Sequence, residues 1–151
     1  MRKIAVALAA ALVACSPNVA PAEPPAGQAQ TGLERVPLTI TSASGVHRFS
    51  VDVAATPGQQ ETGLMFVKAL APDRGMIFPY DPPQNVAFWM KNTLIPLDII
   101  FIRADGTIAR ITNAKALDET PLPSGEPIAS VLEIAGGRAA ELGIAPGDRV
   151  E

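Results

Sequence analysis

Apolar and polar residues alternate from Val36 to Thr41 and again from Val46 to Val53, with a Ser44-Gly45 turn between the two runs. Period two is the signature of a strand with one buried face, so the pair predicts a β-hairpin. On its second strand His47, Phe49, Val51 and Val53 share one face, while Arg48, Ser50 and Asp52 share the other. Thr56 followed by Pro57 supplies an N-cap and a first helical residue, and Leu64, Met65 and Phe66 give the predicted short helix an apolar end, weakened by Gly63. Three further strands are predicted at "GMIFPY" (75–80), "VAFWMK" (86–91) and "LDIIFIR" (97–103), separated by proline-rich turns. Ile99 to Ile102 is apolar on both parities, which predicts a central strand covered on both faces.

An Asp105-Gly106 turn returns the chain as a partner strand over 107–112. Residues 113–127 carry prolines and a glycine without periodicity and predict a long surface loop. "SVLEIA" (130–135) predicts a strand, "GGRAAELG" (136–143) a short helix ended by Gly143, and "GDRVE" (147–151) a terminal strand. About seven or eight short strands with two short helices indicate a mainly β domain, a compact barrel or sandwich with helices at its ends.

The N-terminus departs from this pattern. Arg2 and Lys3 precede an unbroken apolar run from Ile4 to Ala14, the arrangement of a signal peptide and too short for a permanent membrane span. Leu12-Val13-Ala14-Cys15 resembles a bacterial lipobox, which implies cleavage before Cys15 and a diacylglyceryl group on its thiol. The expected partner of the chain is then the membrane, through more than one acyl chain. Ser16, which is not an aspartate, implies passage to the outer membrane of a diderm envelope. Ordinary cleavage after Ala20-Pro21-Ala22 is the alternative and would give a soluble periplasmic protein. Residues 16–34 are dominated by Pro, Ala, Gln and Gly and read as a flexible tether. The organisation is thus a signal peptide (1–14), an anchor and tether (15–34) and one globular domain (35–151).

Loss of Arg2 and Lys3 takes the formal charge from −3 to −5. No basic patch for nucleic acid is expected at that balance. The one cysteine, Cys15, lies outside the globular domain, so disulfides, a thiolate nucleophile and a cysteine zinc site are excluded from the domain. The lone His47 offers no ligand spacing for a metal, and none of Ser42, Ser44, Ser50 or Ser130 lies in a nucleophile elbow. No phosphate-cradling loop is found, and no cofactor is expected.

"GLMF" (63–66), "GMIF" (75–78), "FWMKNT" (88–93), "IPLDIIFI" (95–102), "VLEIAGG" (131–137) and "GIAPGD" (143–148) follow one another along nearly the whole domain. In this order they resemble the signature blocks of domain-of-unknown-function family 192, also called uncharacterised protein family 0127. The resemblance implies a compact β-rich, barrel-like domain, often exported or membrane-tethered in bacteria, with no established reaction, ligand or cofactor. Two positions depart from the family pattern. Gln60 and Val67 stand where the family often has arginines, so a site needing those guanidinium groups is not expected here.

The residues with most chemistry to offer are Trp89, Lys91, Asn92 and Thr93. An indole stacks on sugars and other planar groups, while Asn and Lys provide directed donors. Period two sends Phe88, Met90 and Asn92 one way and Trp89, Lys91 and Thr93 the other, so the first set is expected in the core and the second along a groove. The competing reading makes Trp89 a core anchor and Asn92-Thr93 a plain turn. Asp98 shares a parity with Ile100 and Ile102, and an inward carboxylate needs a partner, for which Lys91, Arg48 and the amides of residues 92–97 are available. Glu133, within "VLE", poses the same question. Asp148 is expected to cap the turn that precedes it.

Three functions remain open: an envelope module binding a small molecule or glycan through Trp89, Lys91, Asn92, Thr93, Asp98 and Glu133; an envelope hydrolase using Asp98 and Glu133 as acid and base; and an accessory protein docking on an envelope complex through residues 113–127.

Overall fold

The structure is a computed structural model that describes residues 28–151; the leader, Cys15 and most of the tether lie outside the described residues. Strands β1 (Arg35–Ser42) and β2 (Gly45–Val53) form the expected antiparallel hairpin, with Leu38 opposite Phe49 and Val36 opposite Val51. Helix α1 (Pro57–Thr62) follows a full capping box. The Thr56 hydroxyl accepts from Gln59 N–H, and the Gln59 side chain accepts from Thr56 N–H at 3.0 Å. Contrary to expectation, the helix does not run on to Phe66. Gly63, with φ 48° and ψ −132°, turns the chain out of the helix, and Leu64 drops into the core beyond it.

Strand β3 (Arg74–Gln84) runs parallel to β2 and antiparallel to β8 (Ile128–Ala135). Strand β5 (Leu97–Ile102) lies between β8 and β6 (Ile108–Ala114), and β9 (Arg149–Val150) pairs with β1. The seven-stranded order is β6-β5-β8-β3-β2-β1-β9. Its two edges meet, because Ile108 N–H donates to Asp148 O and Val150 N–H to Gly106 O, each at 2.8 Å. The result is a single mainly β domain built on a curled sheet. Asp148 caps its turn as expected, its Oδ2 accepting from Ala145 N–H at 2.7 Å.

One expectation fails and another is refined in the same place. "VAFWMK" contributes only the two-residue strand β4 (Ala87–Phe88), and the loop expected over 113–127 is not free. It begins inside β6 and contains β7 (Leu122–Pro123), which pairs with β4. Prolines 121 and 123 conceal this strand from a periodicity argument; an edge position tolerates a residue without an N–H.

The curled sheet has apolar side chains on both faces. Inside it Ile40, Val51, Ile100, Leu132 and Ile134 pack with Ala139 and Ile144. Outside it Phe78, Met90, Ile99, Phe101 and Val131 are covered by Leu64, Leu70, Phe88 and Leu122 from the connecting segments. Strand β5 takes part in both clusters, and all six of its residues are buried, which the unbroken apolar run Ile99–Ile102 predicts for its last four. The segment read as tether also reaches this layer. Gln30 Nε2 donates to Gly63 O at 2.7 Å and to Gln59 O at 3.0 Å, and Leu33 packs against the outer cluster.

Gly75 sets how closely β3 and β8 approach. A Cβ at this position would lie 2.5 Å from Glu133 O and 3.1 Å from Ile134 Cγ2, with backbone as the main obstacle. Gly75→Ala is therefore expected to cost about 2–3 kcal/mol, read as a lower urea midpoint at unchanged slope.

Candidate functional site

The candidate site is built around the turn that follows β4. Phe88 and Met90 face the outer core, Met90 almost fully buried, while Trp89 is 45% exposed. Period two holds to this point and then breaks. Asn92 adopts φ 54°, a left-handed conformation that asparagine tolerates well, which leaves Asn92 exposed and turns Thr93 inward. The expected sorting of these two residues is thus reversed. Two neighbours clamp the turn: Phe66 N–H donates to Asn92 O at 2.9 Å and Leu117 N–H to Thr93 O at 3.0 Å. Phe66 and Leu117 are themselves left-handed, at φ 64° and 62°. Three such non-glycine residues meeting at one turn mark a place where surrounding contacts override local preference.

Trp89, Lys91 and Asn92 line a surface groove of about 320 Å³ against α1. The Lys91 ammonium sits 5.0 Å from the indole centroid, a cation–π contact. Beside the groove is a cavity of about 30 Å³ walled by Phe78, Phe88, Gln60, Thr93 and Glu133. Glu61, Thr62, Met65 and Trp89 border both spaces. The α1 residues escaped the sequence reading because the capping pattern located the helix but not what it packs against.

Glu133 is 5% exposed, and its Oε2 has no hydrogen-bond partner among the described residues. Removal from water pushes its carboxyl up to about 8, so it holds a proton at neutral pH. Burial, and secondarily the Glu133 charge, push the nearby Tyr80 hydroxyl up to about 12.

Asp98 belongs to another structure. It is fully buried and lies opposite Ile134 across the β5–β8 ladder, whereas Glu133 lies opposite Ile99. Residues directly opposite share a face, and Ile134 packs inside the sheet while Ile99 packs outside it. The two carboxyl groups therefore point to opposite sides of the sheet and cannot serve one bond as acid and base. The partners anticipated for Asp98 are also replaced. Its Oδ1 accepts from Gly137 N–H at 2.9 Å and from the Asn113 side-chain amide, and its Oδ2 accepts from Ala139 N–H at 2.8 Å. Gly137 is the N-cap of helix α2 (Arg138–Leu142) and has no side chain to cap it, so β5 provides the acceptor. His47 is likewise occupied, its Nε2 lying 3.0 Å from both Ser42 Oγ and Ser44 Oγ in the first hairpin.

Five of the six candidate residues, Trp89, Lys91, Asn92, Thr93 and Glu133, thus gather at the groove and its cavity, and Asp98 does not. The family model for DUF192, described as Uncharacterized ACR, matches residues 38–151. A protein of unknown function from Novosphingobium aromaticivorans DSM 12444 is similar in structure, with 50% identity and a TM-score of 0.78 over 89% of this chain and 94% of its own. A proposed transcription regulator from Sinorhizobium meliloti 1021 is also similar, with 42% identity and a TM-score of 0.78 over 81% of this chain and 96% of its own. No curated protein matches the sequence.

Proposed function

The chain belongs to the DUF192 family, and we propose that it acts as a lipid-anchored cell-envelope module that binds a small polar ligand or glycan in the Trp89 groove. The observation that carries this reading is the half-exposed indole beside Lys91 and Asn92, set over a groove large enough for a sugar-sized ligand. An exposed tryptophan held by a strained, clamped turn offers a flat stacking surface at little cost in ordering. The signal-peptide and lipobox patterns support export and anchoring at Cys15. Action on DNA, raised by the description of the Sinorhizobium protein, is disfavoured by 12 Lys and Arg against 15 Asp and Glu.

Trp89 is the only tryptophan, so its fluorescence reports the groove directly. Cell-wall glycan fragments titrated into the full-length protein in mild detergent are expected to give a saturable change in emission. At a hundred times the dissociation constant the same ligand adds roughly 2.7 kcal/mol of stability. Trp89→Ala is expected to weaken binding about tenfold, followed by calorimetry, at a cost of about 1.4 kcal/mol in affinity. Equal affinity in a folded Trp89→Ala protein removes the groove as the binding site.

A further inference from the structure

We infer that the cavity at Glu133 receives the primary ammonium group of the ligand held in the Trp89 groove, which makes the ligand a small amine-bearing polar molecule. The inference rests on the binding reading above and narrows it to a chemical class. A carboxyl nine-tenths buried at the wall of a cavity, with no hydrogen-bond partner among the described residues, is a costly arrangement unless a cation or donor meets it there. At about 30 Å³ the cavity has room for about one water-sized group. An –NH₃⁺ group fits it, and a quaternary ammonium does not. Phe78, Phe88 and Trp89 present aromatic surface to the entering charge. Thr93 Oγ1 donates to Lys91 O at 3.2 Å and keeps lone pairs for an ammonium N–H.

The ionisable groups set around Glu133 are few. Strand β3 brings the Tyr80 hydroxyl and α1 brings Glu61, and Lys91, beyond β4, is held over Trp89. Strand β5 contributes only Leu97, Ile99 and Phe101 to that face. An ammonium entering the cavity breaks the carboxylic O–H bond of Glu133. The proton leaves to solvent, and the carboxylate accepts N–H donors from the ligand. Because the free carboxyl titrates at about 8, binding below that pH releases up to one proton per ligand, and binding above it releases none.

The test is an amide NMR titration of the full-length protein at pH 6.5 with methylammonium chloride, beside tetramethylammonium chloride at equal ionic strength and beside Glu133→Gln. The expected result is a saturable shift of the amides near residues 60–64, 93 and 133 with methylammonium alone, weakened at least tenfold in Glu133→Gln. An equal response to tetramethylammonium, an equal response in Glu133→Gln, or no response overturns the inference. If methylammonium fails while neutral glycan fragments still perturb Trp89, only the amine class falls. If both fail, the groove reading falls with it.

Discussion

Glu133→Gln is expected to stabilise the protein at neutral and alkaline pH and to change little near pH 4. In the unfolded chain the Glu133 carboxyl ionises at its ordinary value of 4.5, while in the folded protein burial holds it protonated up to about 8. Between these values the folded state binds a proton that the unfolded state has released, so stability falls as pH rises. Below 4.5 both states are protonated and there is no penalty; above 8 both are ionised and the penalty is constant. It amounts to about 3 kcal/mol at pH 7 and about 5 kcal/mol above pH 8. Glutamine keeps the shape without the titration, so its advantage over glutamate grows by that amount across the window. Urea midpoints of both proteins at pH 4, 7 and 9 decide the matter. Curves that stay parallel would show that Glu133 finds a partner when it ionises, and would remove the unpaired carboxyl on which the ammonium site depends.

Asp98→Asn is expected to destabilise the protein by about 3 kcal/mol, although it keeps size and polarity. The carboxylate accepts from Gly137 N–H, Ala139 N–H and the Asn113 amide. An asparagine has one oxygen, and its NH₂ must face one of these donors. If the NH₂ takes the Oδ2 position, Ala139 N–H loses its acceptor. If it takes the Oδ1 position, Asn113 can turn its own oxygen inward, but Gly137 N–H is stranded. No orientation satisfies all three, and the side chain is fully buried. The effect appears as a urea midpoint lower by about 1–2 M at unchanged slope. A change under about 0.5 kcal/mol would show that α2 holds its place without the β5 carboxylate. Binding in the groove is expected to survive in the folded fraction, since Asp98 faces the other side of the sheet.

Together these variants separate two acidic residues that look alike in sequence. Each lies in an apolar strand, and each was a candidate for the same chemistry. Asp98 is saturated with donors and holds α2 against the sheet. Glu133 has an oxygen without a partner among the described residues and borders the small cavity beside the Trp89 groove.

Local patterns carried the reading a long way where one face of an element meets water. The alternation over Val36–Thr41 and Val46–Val53 located the hairpin, Thr56-Pro57 located the start of α1, and the unbroken apolar run at Ile99–Ile102 marked β5 as covered on both sides. The signature blocks placed the chain in its family before any coordinate was needed. The polar block at Trp89–Thr93 stood out as a candidate because its residue types are out of place in a plain core strand.

What the sequence by itself determined, then, is the local conformation of most elements, the fold class and the residues worth watching. The tertiary structure alone decided which side of the sheet each of them serves. In β5 and β8 both parities are apolar, so alternation carries no label for inside or outside; only the register Asp98 to Ile134 and Ile99 to Glu133 supplies it. The partners of Asp98 lie 15, 39 and 41 residues away, and the walls of the Glu133 cavity come from α1, β3, β4 and the turn after it. Long-range pairing brings such groups together, and no spacing along the chain encodes it.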